Sequence, residues 1–223
     1  MDDRDGLIED MRGRAAAAEA ARLALHASVV TPIGATRTRK GRRSREERER
    51  AVAAFHAAVR DAYPSGFWEV LGTGYERLAA GERDAVEIAV LFLEADPWFF
   101  RSGYVKEDLL RRLKRLCLTA DASERLRAVL LAAVDLRDRR EFRRYCHLAR
   151  ALDAPDMCQA LAGRRTSPDA GVRRRAEWML AAVEGRPVNP ELETARSTWR
   201  DTEALERENA RGRHLQPVRT VRS

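Results

Sequence analysis

Three groups of residues in this chain are of types that do chemistry: cysteines with a neighbouring histidine, arginines in blocks, and aromatics in one tight cluster. The soft ligands are Cys146 and His147, adjacent in the chain, with Cys158 downstream and Cys117 upstream. Adjacent residues on a helix point about 100° apart, so Cys146 and His147 do not face each other as a nucleophile and its base. Their spacing to Cys158 matches no common zinc pattern. Cys146 falls on the apolar face of its segment, where a free cysteine behaves as a small core side chain. His26, His56 and His214 lie in separate segments. The chain has no phosphate-cradling glycine loop, no H-E-x-x-H, no G-x-S-x-G and no C-x-x-C. The expectation is a non-enzyme with no catalytic residue, no metal site and no cofactor.

The arginines are unevenly spread. The formal net charge is +7, and residues 37–50 hold eight basic and three acidic side chains, so most of the excess sits in that one segment. It contains Arg37, Arg39, Lys40, Arg42, Arg43 and Arg45. Two further blocks are Arg111–Arg112–Lys114–Arg115 and Arg139–Arg140–Arg143–Arg144. The plain reading is solvated helix faces in an arginine-rich chain. The alternative is nucleic-acid binding, with Arg37, Arg39, Lys40, Arg42, Arg43 and Arg45 joined by Arg111, Arg112, Arg115, Arg140 and Arg144 in one basic groove along a phosphate backbone. Which reading holds depends on whether the blocks share a side.

The most distinctive stretch is Trp98-Phe99-Phe100-Arg101-Ser102-Gly103-Tyr104, four aromatics in seven residues of a chain with only 14. It follows Asp96-Pro97, a helix-breaking pair. Trp98 and Phe99 are expected in the space between two helical hairpins, with Arg101 and Tyr104 nearer the surface. The functional reading makes Trp98, Phe100, Arg101 and Tyr104 a docking patch for another protein, since Trp, Tyr and Arg dominate interface hot spots.

The elements that position these residues are helices. Apolar residues make up 44% and charged residues 35%, with only 8 prolines and 13 glycines. The spacing predicts a first helix near 5–29 with an alanine face, then a linker containing Pro32, Gly34 and Gly41. Ser44 and Glu47 form a capping box for the next helix, which Pro64 stops. Phe67, Val70, Leu71 and Leu78 mark another, loosened by Gly72 and Gly74. Residues 85–95 are apolar nearly all round, as in a central buried helix. Helical apolar spacing recurs in Val105–Leu116, Leu126–Val134 and Phe142–Leu152. Pro155 and Pro168 open two more helices. Grouped in pairs, helix starts fall near 84, 122 and 154, with partners near 105, 139 and 169, roughly the period of helical-hairpin repeats. The division is 1–30 as an N-terminal helix, 31–44 as a basic linker, 45–185 as a helical-repeat domain, and 186–223 as a polar tail, partly helical or disordered.

Three unpaired cysteines fit a reducing compartment. An acidic start gives no sign of a signal peptide, and the longest strongly apolar run, Ile88–Leu93, is too short to span a bilayer. A cytoplasmic protein that does not enter membranes is the expectation.

Pro168-Asp169-Ala170-Gly171-Val172-Arg173-Arg174-Arg175-Ala176-Glu177-Trp178-Met179-Leu180 resembles the second-helix signature of HEAT repeats, with an Asp, then Val-Arg, then Ala, then Leu. The matching region is about 18 residues. Val105–Leu116 shares the apolar spacing but lacks the Val-Arg pair. The resemblance implies an all-α fold built as a short stack of antiparallel hairpins, the HEAT-like α-solenoid. The alternative is an irregular helical bundle obeying the same packing rules. It implies an interaction scaffold offering a surface to another protein. A minority of such proteins bind DNA, some as glycosylases, but no residue here matches that catalytic site. In the HEAT pattern Asp169 and Arg173 would meet at a repeat junction, with Pro168 in the first helical turn.

Overall fold

The computed structural model describes residues 3–29, 39–136, 138–152 and 154–186. Those residues are helices and connections, with no strand among them. Helices α1 (Asp3–Val29) and α2 (Arg39–Asp61) pack along each other. Two short helices, α3 (Phe67–Leu71) and α4 (Glu76–Ala79), lead into α5 (Arg83–Ala95). Then come α6 (Ser102–Leu113), α7 (Ala120–Asp135), α8 (Phe142–Leu152), α9 (Pro155–Arg164) and α10 (Ala170–Val183).

From α5 onward the helices touch in two series. α5 contacts α7 and α7 contacts α9, while α6 contacts α8 and α8 contacts α10. Apolar spacing causes this. Each helix turns a stripe inward: Ala89, Val90, Phe92 and Leu93 on α5, Leu109, Leu110 and Leu113 on α6, Leu126, Leu130 and Val134 on α7. The stripe continues through Tyr145, Leu148 and Ala149 on α8 and Ala176 and Met179 on α10, all in one contiguous core.

Arginines tie successive elements together. Arg125 on α7 grips Glu94 of α5 with two hydrogen bonds of 2.9 and 2.7 Å, and reaches Glu87 at 2.8 Å. Arg175 on α10 donates to the Val134 carbonyl at 2.8 Å and to Asp138 at 2.8 Å. Helix α1 buries Met11 with Ala15 and Ala18, and the two alanines allow close approach but remove little area from water. Its N-terminal half is fastened by Arg4 to Glu94 at 3.0 Å and by Arg12 Nε to the Ala95 carbonyl at 3.1 Å. The second contact satisfies an orphan carbonyl at the C-terminal end of α5.

Three local expectations are corrected. The basic run is not all linker: α2 begins at Arg39, so Ser44 lies within the helix and does not cap it. Arginine and lysine are good helix formers, and one glycine among them does not stop propagation. The stretch 67–78 is two helices, because Gly72 takes φ +80° between them and the Glu76 carboxylate accepts the Thr73 and Gly74 amides at 3.1 and 2.7 Å. A Cβ at Gly72 would lie 2.5 Å from the Glu76 carboxyl carbon. Finally, Asp169 and not Pro168 starts α10, its carboxylate accepting from Gly171 and Val172 as an N-cap.

Candidate functional site

The corner between α5 and α6 is bracketed by two residues in the left-handed region, Asp96 at φ 47° and Arg101 at φ 69°. Aspartate tolerates that conformation; arginine adopts it only when the surroundings over-determine it, and such strain gathers at working sites. The intervening loop alternates. Phe99 turns inward, 4% exposed, and meets Tyr63 edge-on at 5.1 Å. Its amide donates to Ser102 Oγ at 3.2 Å, and the Ser102 amide returns a bond to the Phe99 carbonyl at 3.0 Å.

Beneath the loop lies a charged cluster. The Asp96 carboxylate accepts from both terminal nitrogens of Arg139 and from Lys106 Nζ at 2.6 Å. Lys106 is fully buried, and Arg139 and Glu141 are nearly so. Burial alone would push the Asp96 carboxyl up, but the Arg139 fork and the Lys106 ammonium outweigh it and hold it below the ordinary carboxylate value. Burial pushes the Lys106 ammonium below the usual lysine value despite Asp96 and Glu141. Arg139 Nε, Glu141 Oε1 and Tyr145 Oη are buried without a good hydrogen bond. Loop, α6 and the entry to α8 are thus joined through one carboxylate. Beside the cluster is a cavity of about 310 Å³ lined by Arg12, Asp96, Arg139 and Tyr145 with Leu93 and Val129 among its apolar walls.

What this frame holds outward is aromatic. Trp98 and Phe100 are each 47% exposed, Tyr104 is 40% exposed, and Arg101 is exposed between them. Phe100 packs edge-on against Phe55 of α2 at 5.6 Å, with the Arg101 guanidinium 5.5 Å from the Phe100 ring centre. The Arg140 guanidinium sits 3.5 Å from the centre of the Tyr104 ring. The rings continue past the corner: Tyr63 meets Trp68 at 4.9 Å, Trp68 meets Tyr75 at 6.0 Å, and Arg112 lies 4.2 Å over Tyr75. Trp68 and Val52 are exposed as well.

The expected burial of Trp98 is therefore corrected, while that of Phe99 stands. Only one ring of the consecutive three enters the core, and an extended turn sends its neighbours the other way. The four residues read from sequence as a docking patch, Trp98, Phe100, Arg101 and Tyr104, are all exposed. Sequence reading missed Phe55 of α2, which packs on Phe100, and Tyr63 of the α2–α3 connection, which links Phe99 to Trp68 of α3. The only signal for these was aromatic type, since nothing local ties them to residue 98.

The basic candidates divide. Arg37 lies outside the described residues. Arg39, Lys40, Arg42 and Arg43 fall within the described start of α2, and Arg45 pairs with Glu49 at 2.9 Å. Arg111 and Arg112 bond Asp108, at 2.6 and 3.3 Å, and Arg140 and Arg144 share Glu107, at 3.2 and 2.9 Å. Arg115 is exposed. Helices α6 and α8, which carry the other two blocks, pack side by side, while Arg39 to Arg45 lie on α2, which packs on α1.

Cys146 is wholly buried, and burial pushes its thiol up to about 12. Such a thiol stays protonated and is a poor nucleophile. Cys158 is half-buried and Cys117 exposed, all three free. Among the described residues, no group of three His, Cys, Asp or Glu side chains is placed to hold a metal ion, and no helix is long and apolar enough to cross a membrane. Comparison of the chain with protein-family models, with curated proteins and with solved structures found no match.

Proposed function

We propose that this chain is a non-enzymatic interaction module of the HEAT-like type, recognising another protein through the Asp96–Arg101 corner. The observation that carries the reading is the outward presentation of Trp98 and Phe100 beside Arg101, on a loop locked from below by Asp96, Lys106 and Arg139. Large rings left in water cost solvation free energy unless a partner covers them. A rigid loop loses little further freedom on binding, so less affinity is forfeited to ordering. Tryptophan, tyrosine and arginine are the residue types on which interface energies concentrate. The HEAT-like element rests on the 168–180 pattern and on the two contact series, α5–α7–α9 and α6–α8–α10.

The test replaces Trp98 with a photo-crosslinking benzoylphenylalanine in the host cell, with exposed Glu124 as the control position. The reading expects a discrete crosslinked protein from position 98, absent from position 124 and competed away by excess parent protein but not by Phe100→Ala protein. Equal, diffuse labelling from both positions would refute it.

A further inference from the structure

The two contact series bring together basic residues that are far apart in the chain. Lys114 and Arg115 close α6, and Arg143, Arg144, His147 and Arg150 run along α8. Glu107, midway along α6, bonds Arg140 and Arg144 at the start of α8, and Lys114, just past the end of α6, lies close enough to His147 to push its pKa down, so the end of α6 lies beside the later part of α8. Among the described residues no carboxylate pairs with Lys114, Arg115 or Arg150, and Arg115 and Arg150 are exposed. This contrasts with Arg125, Arg139 and Arg175, each held by carboxylates within the fold. Clustered like charges repel, and helix C-terminal dipoles offset only part of that repulsion. The neighbours register it: burial lowers the Lys114 ammonium below its usual value, with Arg115, Arg144 and Arg111 adding to the effect. His147, half-buried with Nδ1 unpartnered, is pushed down by burial and then by Lys114, Arg143, Arg144 and Arg150.

The strip has a definite chemistry. Arg143, His147 and Arg150 follow i, i+4, i+7 on one face of α8, which sets the cations Arg143 and Arg150 about 10 Å apart along the helix axis. The α6 cations lie one helix spacing away. The aromatics of α8 in this region, Phe142 and Tyr145, are buried in the core. A surface with cations and no stacking rings suits phosphates on a duplex better than unstacked bases, which need aromatic platforms. We infer that the C-terminal halves of α6 and α8 form a sequence-independent docking strip for duplex nucleic acid, with Lys114, Arg115 and Arg150 contacting phosphates.

Fluorescence anisotropy of the full chain with a labelled 20-base-pair DNA of arbitrary sequence tests this. Binding is expected at 50 mM salt. If three phosphates are neutralised, the log–log salt slope is about −2.7, a loss of roughly 40-fold between 50 and 200 mM. The Lys114→Glu/Arg115→Glu/Arg150→Glu variant should bind at least tenfold more weakly with an unchanged helical spectrum. Should that variant fold poorly, the Lys114→Gln/Arg115→Gln/Arg150→Gln protein should show the same direction of change with a shallower slope. Trp98→Ala should bind duplex as the parent does, so this result and the corner reading stand or fall separately. Three outcomes overturn the inference: no binding at 50 mM salt, strip variants that bind as the parent while Arg42→Glu/Arg43→Glu does not, or capture of vesicles with 30% phosphatidylserine in preference to the duplex.

Discussion

Asp96 ends α5 in a left-handed conformation and accepts hydrogen bonds from two buried cations. Removing its carboxylate leaves the Lys106 and Arg139 charges without their main partner. Asp96→Ala should therefore cost about 3–5 kcal/mol, the range for breaking a buried ion pair from one side. Urea unfolding at pH 7 measures it. The pH dependence has a definite sign. The folded Asp96 carboxyl lies below its unfolded value, so its contribution is complete above the unfolded value near 4 and is lost as pH falls through the folded one. Parent protein should therefore lose more stability between pH 5 and pH 2.5 than Asp96→Asn does. A parallel loss in both proteins would mean that the carboxylate is not stabilised by its partners. Sequence alone showed Asp96-Pro97 as a helix break. It held no sign that Lys106, one of three lysines in the chain, turns back to Asp96, because that contact needs α6 to be folded against the end of α5.

At the scale of elements, the apolar period was enough to place the helices. The starts read near 84, 122 and 154 correspond to α5 at Arg83, α7 at Ala120 and α9 at Pro155. Burial stripes repeat at helical spacing whatever the partner, so they are visible locally. The junction contacts are not. The HEAT pattern pointed to Arg173 and Asp169 meeting at a repeat junction, but Arg173 bonds the Ser167 and Pro168 carbonyls at 2.7 and 2.9 Å at the exposed start of its own helix. Two residues on, about 200° around the helix, Arg175 crosses to α7 and Asp138. Arg175→Ala should thus cost about 2–3 kcal/mol, through a lost charge-assisted bond and an orphaned carbonyl. Arg173→Ala should stay within about 1 kcal/mol. Thermal melting of the two variants separates them, and equal losses would contradict the assignment of Arg175 as the junction residue. Ser44 misled for a related reason. A capping box is defined by where the helix starts, and α2 starts five residues earlier.

At the scale of the molecule, the two surfaces proposed for partners are the aromatic corner and the cationic ends of α6 and α8. The sequence singled out the corner aromatics and the 111–115 and 139–144 blocks by type, but neither their geometry nor Arg150. Which of three consecutive aromatics goes inward is fixed by Tyr63 from the α2–α3 connection, itself stacked on Phe92 of α5, and the approach of the 111–115 and 139–144 blocks is fixed by the packing of α6 on α8. The central claim is that the corner's outer rings serve recognition and its inner ring serves folding. Thermal melting of the Trp98→Ala/Phe100→Ala double variant beside Phe99→Ala tests it most directly. Phe99→Ala removes a buried ring and should cost about 3–5 kcal/mol, lowering Tm by roughly 6 °C or more at 2–4 °C per kcal/mol. The double variant should melt within about 2 °C of the parent. A double variant that falls as far as Phe99→Ala would show that the outer rings hold the fold together, and would contradict the account.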